Sequence, residues 1–397
     1  MNNSALSNRS FLLYLVGSTV SLHGLWIYRV ALGWFTWELT GSEFWVGFVA
    51  FTQFAPAVVF GPLFGVLADR FDRRKASILI NSLSAINMLV LGILAWFNLV
   101  DIVVLTAQSL IQGALDGAHT PIRMTLVPNI VEKRQLQSAI ASTSISFNVS
   151  RFIGPAIAGL IIATAGVSAA FAINGISYLA IIAAVAVIKL RPTAPRTKNS
   201  SDVWSELLDG VRYVLRHKTI RALLITVAVA STFGRGALEM MPAFADAVYE
   251  RGAAGLATLT AAIGVGAVMS GLVLSRNTAW LNSNVVRLSV TTAGILIVLL
   301  GANTEFWAAV PIVVALGIIL SLCGVGSQIL IQTLVEDEVR GRVSSLWGMI
   351  AFGGTALGSL IVGSAAAAYG LRGTVIVSGI CCALVPLLFR SDGNDTD

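Results

Sequence analysis

Gly65-Val66-Leu67-Ala68-Asp69-Arg70-Phe71-Asp72-Arg73-Arg74-Lys75 ends a long apolar run in a short basic turn. The run before it, near 45–68, matches the roughly 20 residues a helix needs to cross a hydrocarbon core of about 30 Å. Arg70, Arg73, Arg74 and Lys75 follow at once. A helix that ends this way reads as a membrane span anchored on its basic side. The same pattern recurs on both sides of it. The sequence predicts an all-α chain of twelve transmembrane helices, near 11–37, 45–68, 77–99, 102–125, 138–165, 169–190, 220–245, 255–275, 285–303, 305–330, 343–368 and 372–390. The first run is too long for a signal-peptide core, so it counts as a span.

Composition agrees. Of 397 residues, 56% are apolar and only 12% are charged, about half the share in a soluble domain. That much apolar surface does not fit inside one soluble core. Cys323, Cys381 and Cys382 all lie in apolar runs, which points to neither a disulfide framework nor a metal site. The net charge of +6 would suggest nucleic acid in a soluble protein, but its placement gives a different reading. Of 26 Lys and Arg, two (Arg251 and Arg372) fall in outer loops and three (Arg29, Arg151 and Arg235) in spans, leaving 21 on the inner side. This bias sets both termini in the cytoplasm.

The longest loop, 191–218, opens with Arg191-Pro192-Thr193-Ala194-Pro195, a linker composition. Trp204, Leu207, Leu208, Val211 and Leu215 then recur at helical spacing, which predicts an amphipathic helix on the inner membrane surface. The loop separates a six-helix bundle at 1–190 from another at 219–397, and the two echo each other. Thr125-Leu126-Val127, Val131 and Arg134 match Thr333-Leu334-Val335, Val339 and Arg342 at an offset of 208. Gly154, Gly159 and Gly166 match Gly358, Gly363 and Gly370 at 204, and 65–70 matches 271–276 at 206. A duplicated six-helix unit is a transporter design.

The opening stretch resembles the major facilitator superfamily signature G-x-x-x-D-R-x-G-R-[RK]-[RK], with Asp72 where that signature has its second Gly. Gly154-Pro155-x3-Gly159 is similar to the Gly-Pro motif of antiporter branches. Ser109-Leu110-Ile111-Gln112-Gly113 keeps the Gln and Gly of the family's R-x-x-Q-G pattern and lacks its Arg. Gly61 to Arg74, the turn 125–142 and Gly341-Arg342-Val343-Ser344-Ser345-Leu346-Trp347 resemble the enterobactin-exporter and macrolide-efflux branch. The resemblance implies alternating access and export across a bacterial inner membrane. It also implies a conformational latch at Gly65, Asp69, Arg70 and Arg74; plain topological anchoring is the alternative reading of these four.

Ionisable groups at membrane depth are expensive and invite functional readings. Asp116 and Arg151 lie roughly 15 and 20 Å from the inner side at 1.5 Å per residue. They are candidates for proton coupling, for a permanent ion pair or for substrate contact. Arg235 and Glu239, at i and i+4 between Gly234 and Pro242, share a face; Glu239 is a second proton carrier or Arg235's structural partner. On the first helix, Trp26 and Arg29 are candidates for holding an aromatic or anionic substrate. Asn148, Arg235 and Gln328 are further polar candidates. Trp37, Trp45, Trp96 and Trp307 read as an outer aromatic belt, and Trp347 as packing.

No metalloprotease, phosphate-loop or C-x-x-C motif is present, so an ion gradient rather than ATP is the expected energy source and no cofactor is expected. The leading expectation is a monomeric, proton-coupled exporter of a small amphipathic or anionic molecule, a siderophore or a drug, surrounded by membrane lipids. An importer, a lipid flippase and a non-transporting membrane sensor are the alternatives.

Overall fold

A computed structural model describes residues 4–70, 72–190 and 203–388. The side chains of 62–70, 120, 124, 125, 148, 203–207, 337 and 338 fall outside that description. The proposed latch positions Gly65, Asp69 and Arg70, the Asn148 side chain and the first part of the 191–218 loop therefore lie outside the described residues.

Every regular element among the described residues is helical. The order is α1 (Arg9–Thr40), α2 (Glu43–Arg70), α3 (Arg73–Trp96), α4 (Ile102–Leu126), α5 (Leu136–Val187), α6 (Val203–Arg216), α7 (Lys218–Val229), α8 (Gly236–Leu238), α9 (Met241–Ala243), α10 (Gly252–Arg276), α11 (Ser283–Ala302), α12 (Phe306–Leu334), α13 (Asp337–Tyr369) and α14 (Leu371–Leu388). Among the described residues, ten stretches are long and apolar enough to cross a membrane, one of them Lys133–Val187 and another Lys218–Val248. In α4, Gln108, Gln112, Asp116 and His119 interrupt the apolar run and keep it out of that group.

Local chemistry sets the ends. The Asn8 side chain accepts from the Ser10 and Phe11 amides at the start of α1, and Gly41 closes that helix at φ 54°. The Asp72 carboxylate accepts from the Lys75 amide at 2.9 Å and caps α3. This gives a physical reason for Asp at the position where the family signature has Gly. α5 is 52 residues long, far more than one crossing needs, and it breaks at Gly166, where φ is 78° and ψ is 175°.

α1 packs on α5, α3 on α5, and α2 on α4; later in the chain α10 packs on α12 and α11 on α14. These two groups meet along two broad seams, α2 on α13 and α5 on α10. The repeated glycines do equivalent work in each group. Gly166 and Gly370, at φ 78° and 91°, end α5's first arm and α13. A Cβ at Gly159 would sit 2.0 Å from the Ala257 Cβ on one seam, and one at Gly363 would sit 2.9 Å from the Gly47 Cα on the other. A Cβ at Gly154 would meet the Trp26 Cβ at 2.4 Å, and one at Gly358 would meet the Thr232 carbonyl at 2.0 Å. The repeat seen in sequence is thus also a repeat of close helix approach.

The predicted amphipathic helix is α6. Val214 is buried against Val343 of α13, while Leu208, Val211 and Leu215 are exposed. Asp209 reaches Arg342 at 3.7 Å and Arg212 at 3.4 Å.

Candidate functional site

α1, which packs on α5 and meets α4, also meets the interrupted helix at 218–248 through α9. That helix is broken by π-turns at Ala230–Arg235 and Phe244–Val248, with Pro242 between them. Such turns widen a helix and recur at functional sites. The bend expected from Gly234, Gly236 and Pro242 takes this form.

Arg29 is the hub. Its charge acts on Asp116, Arg151, Arg235 and Glu239. All five side chains are half-buried. The Arg29 guanidinium stands 4.9 Å from the Trp26 ring centre and 5.5 Å from that of Phe54. Arg151, from α5, stands 5.6 Å from the same Trp26 ring. Trp26 therefore carries two guanidinium groups from two helices. It can do so because Gly154 lets α5 close onto α1 there.

Asp116 meets Gln112, not Arg151. The Gln112 amide donates to its carboxylate at 3.0 Å and to the Tyr178 hydroxyl at 3.2 Å, and Asn87 donates to the Gln112 carbonyl at 3.3 Å. Arg151 instead feels two other cations, Arg235 and Arg29. Arg235 and Glu239 stay on one helical turn, with the Glu239 amide donating to the Arg235 carbonyl at 3.2 Å. Among the described residues no ion pair within 4.0 Å joins any of the five charged groups. The Nε of Arg29 and the Nε1 of Trp26 are both buried without a hydrogen-bond partner.

Gln328 is half-buried on α12, one turn from Gly324, the glycine that gives the Arg235 guanidinium room. Arg235, Cys323, Gly324, Trp347 and Ala351 line a small pocket. Trp347 packs beside Val335 and Val343, as read from the sequence, and is also a wall of this pocket, its Nε1 donating to the Ser327 hydroxyl at 3.0 Å. Arg74 donates to the Ala186 and Ile188 carbonyls and so caps the far end of α5 within its own group of helices. Trp96 and Trp307 are exposed, as an aromatic belt requires. Trp37 departs from that expectation: it is buried, and its Nε1 donates to Asp246 at 2.9 Å.

The sequence singled out the charged residues because intramembrane charge is rare. It missed Asn87 and Tyr178. The signal for Asn87 was an amide inside an apolar run.

Known proteins resemble this chain along nearly its whole length. The staphyloferrin A transporter of Staphylococcus aureus (strain NCTC 8325 / PS 47) is 25% identical over 389 residues, covering 96% of this chain and 93% of the relative. Macrolide efflux protein A of Streptococcus pyogenes is 23% identical over 381 residues, covering 93% of each. Among solved structures, the inward-facing, occupied form of a bacterial homologue of the human lysosomal transporter Spinster has the same fold. Its TM-score is 0.76 at 13% identity, over 96% of this chain and 95% of that one. The transmembrane secretion effector family, MFS_3, matches residues 2–391. The chain belongs to that family and is a multi-pass membrane transporter of the major facilitator superfamily.

Proposed function

We propose that the chain is a proton-coupled exporter of a small amphipathic or anionic organic molecule, working by alternating access. The observation that carries this reading is that Arg29, Arg151, Arg235, Asp116 and Glu239 are all half-buried at membrane depth, with Arg29 and Arg151 on the Trp26 ring and, among the described residues, no ion pair within 4.0 Å joining any of the five. Charges that neutralise one another permanently would pair; charges that exchange partners during a cycle stay separate in at least one state. Asp116, Glu239 and Arg151 form the proton-coupling set, with the two carboxylates as the proton carriers. Trp26, Arg29, Asn148, Arg235 and Gln328 contact the cargo.

In this reading twelve helices form two six-helix halves, 1–190 and 219–397. They are joined by the 191–218 linker on the cytoplasmic side of a bacterial inner membrane, and the working unit is a monomer. Gly65, Asp69, Arg70 and Arg74 form the inner latch. Outward direction rests on kinship with an efflux protein and on the Gly154-Pro155 motif. The test is substrate-evoked proton flux in proteoliposomes. Wild type should show it and Asp116→Asn should lose it. Undiminished flux in the variant would remove Asp116 from the mechanism.

A further inference from the structure

We propose that α6 is a docking surface for anionic phospholipid: an apolar stripe enters the headgroup layer and two arginines beside it take the phosphates.

α6 ends at Arg216 and α7 starts at Lys218, with His217 alone between them. Lys218–Val248 is long and apolar enough to cross a membrane, so the last turn of α6 stands where that span enters the bilayer. Two contacts set the corner. The Tyr213 and His217 rings stack with centres 3.9 Å apart, and the Arg221 guanidinium donates to the Leu215 carbonyl at 3.2 Å.

One face of α6 is used by the protein itself. Gly210 and Val214 are buried, Val214 in one cluster with Ile220, Val335 and Val343. The neighbouring face has no such cover: Leu208, Val211 and Leu215 are exposed. With 3.6 residues per turn, these three fall within one arc of about 60°. A stripe of large aliphatic side chains is unfavourable in water and fits the boundary between headgroups and acyl chains.

Arg212 and Arg216, one turn apart, border the stripe on the side away from Val214, and both are exposed. Lys218 and Arg221 continue the cationic edge onto α7. Against these four cations, the stretch 208–221 holds a single carboxylate, Asp209. It is shared between Arg212 at 3.4 Å and Arg342 at 3.7 Å. Arginine stems run along apolar surface while their heads reach phosphate, so a stripe with cations on one edge matches an anionic interface. Free phosphate would use the arginines and leave the stripe in water; a bilayer uses both. Lipid held here also steadies the start of α13, through Arg342 and Val343.

The test places dansylalanine at Val211 of the full chain in nanodiscs and reads its quenching by phosphatidylcholine spin-labelled high on the acyl chain. The discs contain phosphatidylcholine alone or an equal mixture with phosphatidylglycerol. Quenching should be strongest in the mixed discs and fall there in high salt. Arg212→Gln with Arg216→Gln should lower the ratio of immersed to free α6 about fivefold per arginine and remove the response to phosphatidylglycerol. Arg212→Lys with Arg216→Lys should keep that response. Leu208→Ser with Leu215→Ser should lose quenching in both kinds of disc. The lipid and salt arms need no arginine or leucine change, so they stand if a variant folds poorly. Equal quenching in the two kinds of disc, or a phosphatidylglycerol response that survives the paired Gln changes, would overturn the proposal. No quenching in either would show that the stripe faces water and is open to a soluble partner, which also overturns it. The readout needs neither cargo nor proton flux, so it stays separate from the fate of the proton-coupled mechanism.

Discussion

The Trp37 indole N–H donates to the Asp246 carboxylate at 2.9 Å, joining α1 to the π-turn at Phe244–Val248 across 209 residues of sequence. Gly33, one turn before it on α1, lies against Pro242. Gly47 of α2 lies against Ser359 and Gly363 of α13. These contacts close the end of the bundle that carries the Thr40–Glu43 turn. Alternating access requires that closure to open, so the Trp37–Asp246 bond is a place to bias the cycle. Trp37→Phe and Asp246→Ala each remove a hydrogen bond to a charged group, about 1.5–3 kcal/mol. The expected outcome is a wider distance distribution between spin labels at Ser42 and Glu250, measured by double electron–electron resonance. Unchanged distributions in both variants would show that the bond plays no part in holding this end shut.

Gly154→Ala places a methyl 2.4 Å from the Trp26 Cβ, an atom fixed close to the backbone. α5 must then move off α1, at about 1–3 kcal/mol for overpacking. Gly358→Ala meets the Thr232 carbonyl at 2.0 Å and should cost as much. Gly61→Ala meets nothing within 4 Å and should be neutral or slightly stabilising, since alanine favours the helix. Thermal unfolding of the three variants in one detergent checks the order. A Gly154→Ala melting point equal to that of Gly61→Ala would refute the close approach.

Gly166→Ala and Gly370→Ala test the repeat from the backbone side. Both glycines have left-handed φ, 78° and 91°, with open space around the Cβ direction at Gly370. The cost is therefore conformational rather than steric, about 1–3 kcal/mol each. The paired losses should be similar in size. A loss at one position only would mean that the two breaks are not equivalent.

The repeat, the basic turns and the intramembrane charges were legible because each is a pattern along the chain. Asp72 was visible as a departure from the family signature, and its reason became clear only with the Lys75 amide beside it. Partner choice was not legible. Asp116 and Arg151 have compatible depths, yet helix rotation gives Asp116 to Gln112 and Arg151 to Trp26. Trp37 looked like an interfacial tryptophan because its acceptor, Asp246, belongs to the other group of helices. Trp347 packs as its place in the sequence suggested, but the pocket it also lines exists only once α12 and α13 meet Arg235.

Asp116→Asn separates folding from chemistry. An Asn oxygen still accepts from the Gln112 amide, so the Asn87–Gln112–Tyr178 network keeps its bonds. Expression and melting point should stay near wild type, while the carboxylate proposed to carry the proton is gone. Gln112→Leu does the reverse: it leaves Asp116 ionisable and strips its donor and that of the Tyr178 contact. Lost polar partners at buried positions cost about 1–3 kcal/mol each, so this variant should unfold earlier. If the Asn variant melts as early as the Leu variant, Asp116 serves structure.

The Asp209–Arg342 contact ties α6 to α13 at 3.7 Å, with 47% and 34% of the two side chains exposed. Solvent screening at such a site leaves about 0–1 kcal/mol, falling further with salt. The apolar contact beside it is stronger: Val214 is 8% exposed and packs in one cluster with Val335 and Val343. A Cβ at Gly210 would come within 3.1 Å of the Arg342 Cβ, so the two helices already approach closely there. Asp209→Asn should therefore shift the melting point by little, and less still in 0.5 M salt. Val214→Ala should cost about 0.5–3 kcal/mol, with no salt dependence. Rapid proteolysis between 191 and 218 in the Asn variant, but not in the Ala variant, would reverse this ranking and make the ion pair the chief tether of α6.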